Sequence, residues 1–326
     1  MQSSRLPLLA AAFVLFVGVA TSRADEPVGS FHRSFTVSGP VHLHVETGAG
    51  AIHVIGAPGS AVTVDGTIYQ SEWLFGGADP GAAHRLEANP PVQQAGNSIS
   101  AGGDPDRDDH LWIAYVVTTP PNTDLEAQSG SGAIEIAGLT GTADLRAGSG
   151  HIRVADLGGS LTAQTGSGGI AFDRVSGDAR VHAGSGSIEG NEVGGFFSAS
   201  TGSGHIRVRQ LDKGGEVQTS SGGMDLDQVT GNLSAHASSG SMDIGGNLNG
   251  DHRWDLTASS GSVHLSLPAD TAAQVRLHTG SGGISVAHPM RTQTSLGRHS
   301  WEGEMGQGAA TASLTVNTSS GSIHIR

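Results

Sequence analysis

Asp225, Asp227 and Asp243 are the residues whose types and spacing could most readily do chemistry, because separations of two and eighteen can set three carboxylates on one face. Such a trio offers hard oxygen donors for Ca²⁺. With Arg207 or Arg209 nearby it could also supply the acid and base of a polysaccharide lyase or hydrolase. The calcium reading has a defect in the pattern: a calcium-binding roll repeat sets aspartate in the turn beside its glycines, where this chain has Ser or Gly.

Sixteen histidines raise the question of a metal centre. In an eighteen-residue register His151 aligns with His205 and His182 with His236, each pair three units apart. At a strand spacing of about 4.8 Å that is roughly 14 Å, too far for one ion bound at about 2.0 Å. His264 and His324 also share an offset but have a further copy between them in sequence, and His84 and His110 fall in a segment outside the register. The Gly-Ser-Gly serines lack the strand-to-helix setting of a nucleophile elbow. The same glycines lack the following helix and nearby lysine of a phosphate cradle, the one lysine being Lys213. No catalytic, cofactor-binding or metal-ligating residue is assigned on this evidence, and no cofactor is implied.

The element that positions these side chains is a repeat. A small-Gly/Ser-Ser-Gly-x-apolar-x-apolar block places its last glycine at Gly132, Gly150, Gly168, Gly186, Gly204, Gly222 and Gly240, every step being eighteen residues. Further copies lie at Gly261, Gly282 and Gly321, and an early one at Gly50. Counted from each glycine, offsets +2, +4 and +7 are apolar in most copies, as in Ile152, Val154 and Leu157. Offsets +11, +13 and +15 alternate again, as in Leu161, Ala163 and Thr165. Period two in short runs means strands with one buried face, and one unit cannot bury that face alone. The expectation is an all-β, parallel β-solenoid with two short strands per rung, right-handed by the general crossover preference. Corners fall at the Gly-Ser-Gly block and at the +9 glycines, where positive φ or close backbone approach is needed. Thr165, Thr201 and Thr219 at +15 point inward, which argues against an ice-binding face.

Outward columns then become readable. Offset +3 runs Glu135, Arg153, Ala171, Glu189, Arg207, Asp225, Asp243, and Arg209 stands beside Asp227 at +5. Alternating signs of this kind read as a solvated charge ladder, each pair worth about 0–1 kcal/mol.

Two segments break the register. Residues 67–124 carry Trp73, Phe75, Trp112, Tyr115 and a polar run, and read as extra strands with a long loop. Residues 287–312, with Trp301, read as an excursion that folds over the sheet edge otherwise left open by the closing strand. Residues 1–24 read as a secretory signal peptide, with Arg5, an apolar stretch over 6–20 and Ser22-Arg23-Ala24. Residues 25–326 then form a single β-solenoid domain with no further membrane span. The absence of cysteine leaves burial and backbone pairing as the stabilising forces. A net charge of −13 disfavours nucleic acid and anionic lipid as partners.

The Gly-Ser-Gly-x-Ile-x-Val units, the strand-to-proline run at 112–120, the matching Val263-His264-Leu265-Ser266-Leu267-Pro268 and the closing Ser320-Gly321-Ser322-Ile323-His324-Ile325 resemble the bacterial β-strand-repeat domains of unknown function labelled "putative adhesins". The resemblance spans about 36–326 and implies the fold; it brings no functional residues. The leading expectation is an exported, non-catalytic, structural or adhesin-like binding protein of the cell envelope. Its partner is an unknown envelope or extracellular macromolecule, protein or glycan. The alternative is a polysaccharide-active enzyme using the Asp225, Asp227 and Asp243 face. Exposed aromatics are missing from the central columns, so a glycan would meet Trp73, Phe75, Trp112 or Tyr115, four residues that as isolated aromatics also suit a core cap.

Overall fold

The computed structural model describes residues 26–70, 81–103, 111–295 and 298–326. The expected signal peptide, Trp73, Phe75 and the polar run at 104–110 lie outside the described residues. Two long, mostly parallel sheets of 14 and 15 strands face one another, and the eighteen-residue repeat is their register. In the first sheet Ile152 pairs with Ile170 and Val154 with Phe172. In the second, Leu161 pairs with Ala179 and Ala163 with Val181. Each rung takes the name of the glycine between its two strands: the Gly150 rung has Ala143–Ala147 in the second sheet and Ile152–Leu157 in the first.

The inward offsets are as the alternation requires. Ile134, Ile152, Ile170, Ile188, Ile206, Met224 and Met242 form one continuous column, each at most 1% exposed. Burying a side chain of this size stabilises by about 1.5–3 kcal/mol, and the core runs unbroken from Phe31 to Ile325.

Of the two reasons the sequence offers for glycine at the corners, close backbone approach is the one that holds at the Gly-Ser-Gly block. None of the last glycines of the central Gly-Ser-Gly blocks has positive φ. They are needed because the rung below comes too close: a Cβ on Gly186 would lie far inside 3.0 Å of the Gly168 carbonyl oxygen, and the same holds up the stack. Positive φ occurs among the expected +9 glycines only at Gly231 (93°), and recurs at offset +6, on Gly138 (74°), Asp156 (52°), Arg174 (56°), Gln210 (58°) and Gln228 (54°). A polar residue tolerates that left-handed kink where its side chain is solvated; the Arg174 Nε to Asp156 Oδ1 bond of 2.5 Å spans two such corners.

The inward hydroxyls at +15 have a use that their burial does not reveal. Thr165 donates to the Gly150 carbonyl at 3.0 Å and accepts from the Gly168 N–H at 3.2 Å. Thr201, Thr219, Thr279 and Thr318 repeat this bracket between adjacent corners. It satisfies one N–H and one C=O that the tight corner leaves unpaired.

Stacking order departs from chain order at both ends. The Gly50 rung, Val41–Thr47 and Ile52–Gly56, sits between the Gly132 rung and an outer rung made of Ser98–Ala101 and Leu111–Thr119. The 67–124 segment therefore supplies a complete rung, flanked by antiparallel strands Ala61–Gln70 and Pro27–Thr36, and also a helix, Ala82–Ala88, that no periodicity announced. At the other end the Gly321 rung, Ala312–Thr318 and Ile323–Ile325, is inserted between the Gly261 and Gly282 rungs. The excursion does cap an edge, but not the one expected. Its hairpin, Met290–Ser295 and Ser300–Met305, pairs antiparallel with Ala273–Thr279, while the closing strand lies inside the sheet.

Replacing Gly186 by Ala is expected to force two rungs apart and cost more than about 3 kcal/mol, whereas Gly283→Ala, with nothing within 4 Å, should be close to neutral; thermal melts of both variants check this. Thr219→Ala should cost only about 1 kcal/mol, since Ala147, Ala183, Ala237 and Ala258 already fill that place in other rungs; chemical denaturation measures it.

Candidate functional site

The outward face of the first sheet brings Asp225 and Asp243 side by side as register partners. Asp227 stands two residues further on, where the ladder to the next rung is interrupted after Leu226, and it accepts a bond from the backbone N–H of Gln228 at 3.0 Å. The two paired aspartates do not form a free acidic site. Asp225 accepts from Arg207 Nη2 at 2.9 Å and lies 3.0 Å from His205 Nε2. Asp243 lies 3.3 Å from His264 Nδ1. Partial burial pushes the Asp225 carboxyl up, but the hydrogen bonds and charges of Arg207 and His205 outweigh it and hold the group below the usual carboxylate range.

This clip is used twice. His151 and Arg153 grip Glu135 on the rung below at 3.4 and 2.8 Å, as His205 and Arg207 grip Asp225 on the rung above. Two offsets on one strand face the same way, so a His-x-Arg pair closes on a single neighbouring carboxylate. His53 reaches Glu135 from the other side at 3.2 Å. His53 shares the +3 offset of that column, but only the stacking of the Gly50 rung directly on the Gly132 rung brings it to Glu135.

His264 and His324 require a correction. They are direct register partners, not residues separated by a copy, and their rings stack 5.2 Å apart at 10°. The inserted Gly321 rung brings them together, and linear spacing carries no sign of it. His84 lies 3.1 Å from Glu87, and His110 is outside the described residues. Among the described residues no group of three or more His, Asp or Glu is arranged to hold a metal ion.

At the Gly50 end of the same sheet the surface changes character. Trp112 and Tyr69 are cross-strand partners whose rings stack at 4.2 Å and 12° on the outward side. Along the same face Val116 is 43% exposed and Ile55, diagonal to it on the next strand, 48%. Tyr115, one residue out of phase with Trp112 and Val116, is buried against Phe31, and burial pushes its hydroxyl pKa up. Of the four aromatics named from sequence, Tyr115 is thus core and Trp112 is surface.

The second sheet has a groove of about 550 Å³ at this end, between the Val92–Ala95 and Ser98–Ala101 hairpin and the strands carrying His42, His44, Asp124, Glu126 and Asp144. Its histidines face carboxylates as well, His42 to Asp124 at 3.6 Å and His44 to Glu126 at 3.4 Å. The backbone N–H and hydroxyl of Thr142 hold the Asp124 carboxyl below its usual range.

Because the folded Asp225 carboxyl titrates below the unfolded value of about 3.9, its contribution to stability is complete above that pH and is lost as the pH falls through the folded value. The pair is half-exposed, so solvent limits the contribution to about 1 kcal/mol or less. Asp225→Asn is therefore expected to melt slightly below the parent at pH 7, with the difference closing as the pH falls below the usual carboxylate range, as a pair of pH-dependent melting series would show.

The family model described as Toastrack DUF4097 matches residues 158–326. A solved structure from Parabacteroides distasonis described as a "putative adhesin" is 13% identical, covering 91% of this chain and 97% of its own at a TM-score of 0.44. A "putative lipid binding protein" from the same organism is 12% identical with the same coverages and a TM-score of 0.43. A "putative adhesin" from Bacteroides fragilis is 13% identical over 91% and 97% at 0.33. At such identities and scores these likenesses carry no weight for function. No curated protein matches the sequence. With more than half of its length inside the matching model, the chain belongs to the Toastrack DUF4097 family, the bacterial domain of unknown function to which its Gly-Ser-Gly units pointed.

Proposed function

We propose that this protein is a non-catalytic β-solenoid, exported to the cell envelope as a structural or adhesin-like binding protein, and that it meets its partner through the outward face around Trp112. The observation that carries this reading is the Tyr69–Trp112 stack together with Val116 and Ile55 on the same outward side, a face that holds two of the four exposed large apolar side chains among the described residues. Apolar and aromatic side chains gathered on one exposed face mark interaction surfaces more often than scattered ones do, and stacked Trp and Tyr supply large contact area with little entropy to lose.

The partner in this reading is an envelope or extracellular protein or glycan. The polysaccharide-active alternative draws less support, because Asp225 is engaged by Arg207 and His205 and Asp243 by His264. A general acid and base would have to be released from those contacts before either could serve a substrate.

The mature protein, immobilised and washed with solubilised envelope material, is expected to retain a partner that Trp112→Ala or Val116→Ser reduces at least tenfold, with melting temperatures lowered only modestly, Trp112→Ala forfeiting about 0.5–1.5 kcal/mol of stacking on Tyr69. Equal retention by parent and variants would refute the assignment of the face. Turnover of any polysaccharide in a panel, abolished by Asp225→Ala, would refute the non-catalytic reading.

A further inference from the structure

The insertion of the Gly321 rung is the least expected feature of the architecture. The Gly261 and Gly282 rungs are consecutive in the chain and separated by 21 residues, the same step that separates Gly240 from Gly261. That earlier step connects rungs that pair directly. The connection from the Gly261 rung to the Gly282 rung is therefore long enough for them to stack on each other, yet residues 312–325 lie between them in both sheets.

Every column would be compatible with the direct arrangement. Trp254, Leu256 and Ala258 each face Leu314, Val316 and Thr318, which on their other side face Val275, Leu277 and Thr279. In the first sheet Val263 and Leu265 face Ile323 and Ile325, which face Ile284 and Val286. Thr279 brackets the Gly321 carbonyl in the manner that Thr318 brackets that of Gly261. The inserted pair of strands thus fills a slot whose two walls share one pattern with each other and with the insert. Its link to the hairpin is the short glycine- and alanine-containing stretch Gly306-Gln307-Gly308-Ala309-Ala310-Thr311.

We propose that the space between the Gly261 and Gly282 rungs is a strand-acceptor site, filled by residues 312–325 of the same chain or, by exchange, by residues 312–325 of a second copy. The chemistry of recognition is that of β-augmentation: backbone ladders on both sides give affinity, and the inward Leu314, Val316, Ile323 and Ile325 give register. Exchange of an identical element through a short hinge is a low-cost route from monomer to dimer. The inference is independent of the envelope-binding reading, since it concerns a different end of the solenoid and a different partner.

Single cysteines on the intact chain test it, because the native sequence has none. One copy carries Asp255→Cys and a second carries Thr315→Cys, two outward positions that are register partners. They come within disulfide reach between copies only when the second copy's strand occupies the first copy's slot. The control pairs Thr315→Cys with Glu216→Cys, which lies in the same outward column two rungs away, at about 10 Å from position 255. After mixing at high concentration just below the melting midpoint and slow oxidation, the 255–315 heterodimer is expected in at least tenfold excess over the 216–315 heterodimer on non-reducing gels. Equal yields from the two pairs, or no heterodimer from either, would overturn the proposal.

Discussion

The closeness of one corner to the next governs this molecule. Parallel rungs about 4.8 Å apart can continue through a bend only if nothing projects from the backbone there, and the carbonyl of each corner glycine occupies the place where the next glycine's Cβ would be. From that single steric fact follow the Gly-Ser-Gly spacing, the unbroken inward columns and the need for a hydroxyl or nothing at +15. Without cysteine, the stack is held by this repeated approach together with the apolar burial it permits.

The same stacking sets the electrostatics. An outward residue always has two neighbours from adjacent rungs at the same offset, so charge is managed column by column. The acidic excess is met by arginine, as at Arg146, Arg153, Arg174 and Arg207, and as widely by histidine, with His42, His44, His53, His151, His205 and His264 each facing a carboxylate. A face rich in carboxylates is thereby converted into a ladder of exposed pairs, individually weak. On the Trp112 face antiparallel strands extend the sheet and the repeat no longer dictates what points outward, so the Trp112–Tyr69 stack and Val116 stand beside the His32–Asp65 and His53–Glu135 pairs.

Both ends of the solenoid are finished by non-repeating structure. A stack of strands presents open edges that invite pairing with other chains. At one end the antiparallel strand Pro27–Thr36 carries edge groups that are occupied by side chains: Glu87 accepts the Ser30 N–H at 2.9 Å and Gln94 donates to the Thr36 carbonyl at 2.9 Å. At the other, a hairpin lies along Ala273–Thr279. Each end also has a rung out of chain order, so the edges that succeed one another in sequence are not those that touch.

Local chemistry determined what the sequence could reveal unaided. Eighteen-residue spacing, period-two alternation and recurrent glycine dictate strand, rung and core offsets, because each depends on neighbours that repeat identically; Ile152, Leu157, Leu161 and Thr165 could be placed inward before any coordinates. The Glu135–Arg153 and Arg207–Asp225 pairs were legible for the same reason. Order of stacking was not, since the Gly261, Gly282 and Gly321 rungs carry interchangeable patterns and any pairing among them satisfies the same columns. Only the folded chain brings His324 against His264, sets Trp112 outward and Tyr115 inward on a strand whose phase no repeat constrains, and places left-handed kinks on Asp156, Arg174, Gln210 and Gln228 as well as on glycine. Periodicity specifies which faces are buried, whereas the choice between equivalent neighbours is made by tertiary packing at the ends, where the repeat has no further copy to meet.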